Sequence, residues 1–262
     1  MATRRPDLMR QITVTVSLVV CVVGSMIGVG VFGGTPIAQA AGGALAADST
    51  LLAPATPAFS IWSVLYAGLV AYTVWQWLPS QRTASRQRAL GWLVSVSMIL
   101  NAAWILVVQA GWLFASVLVI LALLVTLVRA FLRYSRTRPS SWVEAVVLDG
   151  TLGVYLGWTS VAVCANVAAA LKAFGFQGLG LRPEVWSVAV LVVVAVVGVA
   201  LAIKGRGRLA LAAAIAWGLL WIMVGRSSSA PESFPTAIAA AVAAALVLGA
   251  AITVRARVAL AT

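Results

Sequence analysis

Runs of about twenty apolar residues, separated by short polar and basic breaks, fill the chain from end to end. A helix needs roughly 20 apolar residues to cross the hydrocarbon of a bilayer. Eight segments reach that length, at 11–33, 57–78, 89–109, 112–133, 143–171, 185–203, 208–225 and 235–254. Because each backbone polar group in lipid must be hydrogen-bonded within its own segment, the pattern predicts an all-α polytopic membrane helix bundle of about eight transmembrane helices. The glycine-rich connector Phe174-Gly175-Phe176-Gln177-Gly178-Leu179-Gly180-Leu181 divides the chain into 1–174, with five spans, and 175–262, with three. Those last three are mostly Val, Ala and Leu, as packing or scaffold helices would be.

The breaks are basic on alternate sides. Arg4, Arg5, Arg10, Arg82, Arg86, Arg88, Arg129, Arg133, Arg136, Arg138, Lys204, Arg206, Arg208, Arg255 and Arg257 fall on one side, and only Lys172, Arg182 and Arg226 on the other. The positive-inside rule then places both termini in the cytoplasm and the protein in the inner (cytoplasmic) membrane as a multi-pass chain. An odd number of spans would break the alternation. The net charge of +12 is therefore a topology signal. The lipid bilayer is the expected partner and no nucleic acid is, since no basic domain stands outside the membrane. With 63% hydrophobic and 9% charged residues, against about 45–50% and 25% in soluble domains, a water-soluble fold is excluded.

Arg4 and Arg5, the apolar run and the small residues Ala38-Gln39-Ala40 or Ala44-Leu45-Ala46 have features of a cleavable secretory signal. The run from Ile12 to Gly33 exceeds the roughly 7–15 residues of such a signal's core, so a retained first helix is expected.

Little conventional chemistry is available. The chain has no histidine, which removes Ser-His-Asp and Cys-His catalysis, most zinc sites and His-ligated haem. Cys21 and Cys164 lie inside apolar runs and are not expected to form a disulfide. No metal site and no required cofactor are expected. No span interior holds a lysine suited to a retinal Schiff base. Glu144 and Asp149 begin the fifth span, and a carboxylate at that depth must be paired or open to water. A structural pair such as Arg129–Asp149 is the plainer expectation, and a proton or cation relay the sharper one. Gly24–Gly28 and Gly153–Gly157 have the GxxxG spacing of close helix contacts, within the chain or in a homodimer.

Eleven tryptophans are the least ordinary feature. Trp75, Trp77, Trp92, Trp112, Trp142 and Trp186 sit at span ends, where an interfacial belt explains them. Trp217 and Trp221 fit either a belt or a site. Trp62, Trp104 and Trp158 fall in the outer half of the membrane, beneath the long loop 34–56. Helical spacing puts Phe59, Trp62 and Tyr66 on one stripe, Tyr155, Trp158 and Asn166 on another, and Asn101 with Trp104 on a third. Asn is costly against lipid, so Asn101 and Asn166 should turn these stripes inward. The stripes read either as a ligand pocket or as interhelical anchors with packing rings.

At these residues the sequence resembles the TspO/MBR family of translocator and tryptophan-rich sensory proteins. The family's Pro-rich entry to its second helix, with an aromatic and Trp-x3-Tyr, is matched by Pro57-Ala58-Phe59-Ser60-Ile61-Trp62-Ser63-Val64-Leu65-Tyr66. Its third-helix Leu-Asn-x2-Trp is matched by Leu100-Asn101-Ala102-Ala103-Trp104, and its fifth-helix Tyr-Leu-Ala-Trp by Tyr155-Leu156-Gly157-Trp158 followed by Asn166. The sequence departs where Pro54 and Pro57 stand in place of paired prolines and where Val154 replaces a proline. The match covers about residues 10–174 and is nearest the longer bacterial branch, with extra C-terminal helices. The resemblance implies a five-helix core, here with a three-helix extension, binding a porphyrin-like or other flat hydrophobic ligand between its helices. Trp62, Trp104 and Trp158 would line the site with Phe59, Tyr66 and Tyr155 flanking and Asn101 and Asn166 bracing it. Sensing or transport of that ligand, its weak light-dependent breakdown, and a secondary transporter of small amphipathic molecules are the functions it leaves open.

Overall fold

The computed structural model describes residues 4–28, 30–31, 35–37 and 39–260, the side chain of Arg4 excepted. Among the described residues there is no strand, and eight helices are long and apolar enough to cross a membrane. They are α1 (Arg4–Gly28), α2 (Ile61–Trp75, entered through a 3-10 turn at Thr56–Ser60), α3 (Ser85–Gln109), α4 (Leu113–Tyr134), α5 (Trp142–Ala173), α6 (Pro183–Lys204), α7 (Leu209–Ser228) and α8 (Phe234–Leu260). The protein is therefore a multi-pass membrane protein with an all-α bundle fold.

α1 begins well before the expected residue 11, because its polar first turns are paired. Both carboxylate oxygens of Asp7 accept from Arg88, at 2.8 and 2.6 Å. Arg10 Nη2 donates to the carbonyl of Arg82 at 2.9 Å, and Gln11 Nε2 to that of Gln76 at 2.7 Å. The expected end of this span at 32–33 and Ala38 of the candidate cleavage signal lie outside the described residues.

Small residues set which helices meet. A Cβ on Gly28 would come within 2.7 Å of Ile105 Cγ2, and one on Gly24 within 3.0 Å of Ala102 Cβ, so the first GxxxG stripe seats α1 against α3. A Cβ on Gly157 would lie 2.5 Å from the carbonyl oxygen of Leu211, so the second stripe seats α5 directly on α7. Both stripes are used inside the chain and neither is left free for a second copy. α8 packs between α7 and α6, whereas α6 barely touches α5.

The acids of the fifth span are paired, but not with the expected partner. Asp149 accepts from Arg86 Nη2 at 2.7 Å through one oxygen and from Arg208 Nη1 through the other. Arg86 also faces Glu144 at 3.1 Å, and the guanidinium of Arg208 lies 4.6 Å from the centre of the Tyr134 ring. Arg129 is exposed on the outer side of α4 and takes no part. Depth along a helix ranked Arg129 as a partner, whereas the rotational position of each helix selects Arg86 and Arg208. Both oxygens of Asp149 are engaged by arginine, which suits a static tie between α3, α5 and the start of α7 and leaves no free oxygen for a relay. Ser141 caps the start of α5, its Oγ accepting from the Glu144 N–H at 3.2 Å, and the Glu144 carboxylate reaches back to accept from the Ser140 N–H at 2.6 Å. Immediately after it the helix makes one π-helical turn, Ala145–Gly150, which carries Asp149.

Removing one member of a buried ionic cluster leaves uncompensated charge and costs about 3–5 kcal/mol. Asp149→Asn is expected to lower stability by about 3 kcal/mol, toward the low end because Arg208 is partly exposed. Thermal unfolding in detergent is the check, and an unchanged midpoint would rule out the structural tie.

Candidate functional site

The three predicted aromatic stripes converge near the arginine-poor ends of α2, α3 and α5. Trp62 stacks on Tyr66 (centroids 5.6 Å apart, planes at 23°) and meets Trp158 edge-on at 6.3 Å and Tyr155 at 6.5 Å. Phe59, on the 3-10 turn before α2, meets Trp158 edge-on at 5.7 Å. These are the preferred geometries of aromatic pairs. The turn that carries Phe59 is fixed from above by α7, where Trp217 Nε1 donates to the carbonyl of Ala58 at 2.9 Å and the Ala55 N–H donates to that of Trp221 at 3.1 Å.

Two asparagines hold the third wall. Asn101 Nδ2 donates to Tyr66 Oη at 3.0 Å. Asn166 accepts from Trp104 Nε1 at 2.6 Å and donates to Ser116 Oγ at 2.9 Å, tying α5 to both α3 and α4. Both Asn residues are buried, as their cost against lipid requires.

Between these walls lies a narrow, mostly apolar cavity of about 50 Å³. Six of the eight expected residues line it: Phe59, Trp62, Asn101, Trp104, Trp158 and Asn166. Tyr66 and Tyr155 do not. They sit one layer deeper and brace Trp62 from behind, Tyr155 donating to the carbonyl of Ser97 at 3.1 Å. Ile120 and Leu123 of α4 and Thr159, Ala162 and Ala165 of α5 complete the lower walls, and Leu45, Ala53 and Pro54 of the loop roof it. The small side chains Ala162 and Ala165 keep the α5 face open above Trp158.

Sequence reading missed what holds the roof. Arg226, buried near the end of α7, donates to the carbonyls of Ala47 at 2.8 Å and of Thr50 and Pro231 at 3.1 Å each. Its signal was a lone arginine inside the arginine-poor end of an apolar span, where a cation is expensive unless satisfied. Ser116 offered a similar signal in α4. Among the expected belt tryptophans, Trp77, Trp92, Trp112, Trp142 and Trp186 are exposed, but Trp75 is 7% exposed and belongs to the core. Cys21 and Cys164 are both free thiols, and the described residues hold no cluster of acids and thiols able to bind a metal ion.

Eight spans with a small aromatic cavity under a fixed loop define a polytopic helical membrane protein. The family model for TSPO-like protein matches residues 11–254, and the chain belongs to that family. The matched region runs through all eight helices. No curated protein and no solved structure matches the chain.

With three backbone carbonyls held by one guanidinium, Arg226→Ala is expected to free the roof. Limited digestion with elastase, which suits the Ala-rich stretch 39–55, should cut that stretch several-fold faster than in the wild type. Equal cleavage rates would show that the roof is held without Arg226.

Proposed function

We propose that the protein binds a flat, conjugated hydrophobic ligand of porphyrin type in the aromatic cavity, in a cytoplasmic membrane with its arginine-rich face inward. The observation that carries this reading is a pair of unmet polar atoms. Trp158 Nε1 and Asn101 Oδ1 are both buried without a hydrogen-bond partner, and both belong to residues lining the cavity. Leaving such an atom unpaired costs about 1–3 kcal/mol. A ligand that offers an acceptor to the indole and a donor to the amide would offset that cost.

A tetrapyrrole bearing carboxyl groups has that chemistry. Its face and rim suit the edge-on ring contacts already present among Phe59, Trp62 and Trp158. With no histidine in the chain, ring contacts and carboxyl groups hold the ligand, and no axial imidazole does. The cavity is smaller than the roughly 300–1,000 Å³ of ordinary ligand sites, so entry requires the roof at 45–54 and the Phe59 turn to move apart. Sensing, transport and light-driven breakdown would all begin with this binding step.

Each lost ring contact is worth about 0.5–1.5 kcal/mol beyond burial. The double variant Trp62→Phe with Trp158→Phe should therefore bind protoporphyrin IX roughly tenfold more weakly. The measurement is a titration in nanodiscs in the dark, followed by quenching of the remaining tryptophans. Non-saturating quenching, equal in both proteins, would mean partition into lipid and would return the rings to a packing role.

A further inference from the structure

A second cavity, of about 590 Å³, opens where α5 and α6 diverge toward the arginine-poor face. It lies within the size range of small-molecule sites and is more than tenfold larger than the aromatic cavity. Its walls are apolar: Val163, Val167 and Leu171 of α5, Val190 of α6, and Leu51 and Leu52 of the roof loop. The connector closes one end, because Trp186 Nε1 donates to the carbonyl of Gly178 at 2.9 Å and the Trp186 ring meets Phe176 edge-on at 5.9 Å.

The polar groups of this cavity gather at its outer end. Lys172, exposed at the end of α5, donates to the carbonyl of Ser49 at 2.6 Å. Ser49 Oγ and Thr50 Oγ1 are buried without partners. The other two cations of this face are committed. Arg182 pairs with Glu184 at 3.4 Å, and Arg226 is buried on the carbonyls of the roof loop. Lys172 has no acidic partner among the described residues.

An apolar slot at bilayer depth, ending at headgroup level in one unpaired ammonium and two unsatisfied hydroxyls, matches a single chain with an anionic head. We propose that this cavity is a second ligand site that takes a single-chain amphiphile with an anionic headgroup, such as a fatty carboxylate. The alkyl chain lies between α5 and α6, and the headgroup accepts from Lys172 and the hydroxyls of Ser49 and Thr50. Ser49 also lines the aromatic cavity, so one thickness of loop separates the two sites. The proposal stands independently of porphyrin binding.

The test is a titration of the full chain, in phosphatidylcholine nanodiscs, with a dibrominated stearate and with the matching brominated alcohol. Bromine quenches indole only at contact, and Trp186 lines the cavity. A saturable part of the quenching is expected in the wild type and should vanish in Trp186→Phe. Charge-assisted hydrogen bonds being the stronger kind, Lys172→Gln should weaken carboxylate binding about tenfold and alcohol binding less than about twofold. Ala168→Phe, which fills the slot, should abolish the saturable part for both probes, whereas Trp142→Phe, exposed at the opposite end of α5 and lining neither cavity, should leave the saturable part unchanged. Should Ala168→Phe fail to fold, Lys172→Gln, at an exposed position, still decides the headgroup. Quenching that rises linearly with probe and is equal in all variants would overturn the site, and equal loss of both probes in Lys172→Gln would overturn the anionic head.

Discussion

α5 can lie against the backbone of α7 only because position 157 has no side chain, with the Leu211 carbonyl standing where a Cβ would be. Most of the site depends on that approach. It brings the outer half of α7 over the core, so that Trp217 and Trp221 reach the backbone at Ala58 and Ala55 and set the turn that presents Phe59. It also carries Arg226 to the roof loop, and at the opposite end it brings Arg208 to Asp149. A bilayer supplies no hydrophobic drive between helices, so close van der Waals approach and polar ties must do this work. The helices beyond residue 174 are thus part of the site's construction: α7 holds the turn and the loop that cover it, and α8 supports α7 and α6 from behind.

The sequence made the spans and the inward faces legible because both follow from local rules. Hydropathy and length mark a span, and an Asn or Trp at helical spacing marks the face that cannot meet lipid. Six residues chosen in this way meet at one cavity. What local rules do not contain is the rotation and register of one helix against another. Depth along α4 pointed to Arg129 as the partner of Asp149, and only packing brings Arg86 of α3 to it instead. Tyr66 and Tyr155 share stripes with cavity-lining rings but lie one layer too deep to reach the cavity. Trp75 resembles a belt residue by its place at a span end, yet α2 is short enough that this end is covered by its neighbours. The start of α1 was misjudged for a different reason. Asp7, Arg10 and Gln11 look like polar flank by hydropathy, and become interior only through partners about 65–81 residues away.

The two cavities differ in the way their polar atoms are placed. In the aromatic cavity the unmet donor and acceptor lie among rings, deep in the outer half of the bundle, which favours a ligand with polar groups distributed around a flat body. In the outer cavity all the polar groups sit at one end of an apolar slot, which favours a head and a tail. On the two proposals, selectivity between the cavities would rest on where polarity sits on the ligand, with the Lys172 ammonium adding a preference for an anionic head at the second.

Affinity at the aromatic site is bound to the roof. At about 50 Å³ the cavity admits no tetrapyrrole as it stands, so under the proposed function the competent form would be a minor population and the apparent affinity would be reduced by its fraction. The roof is held by hydrogen bonds from Arg226 to Ala47 and Thr50, from Lys172 to Ser49 and from Ala55 to Trp221. Each such bond contributes about 1 kcal/mol net, and each 1.4 kcal/mol of opening cost divides the apparent affinity by about ten. Breaking all of them at once would erase most of what a few ring contacts supply. Binding in the aromatic cavity therefore requires an opening that keeps most of these anchors. The shared residue Ser49, tied to Ala46 within the loop's own turn and to the rest of the bundle through the exposed Lys172, is the part of the roof that can shift at the least cost.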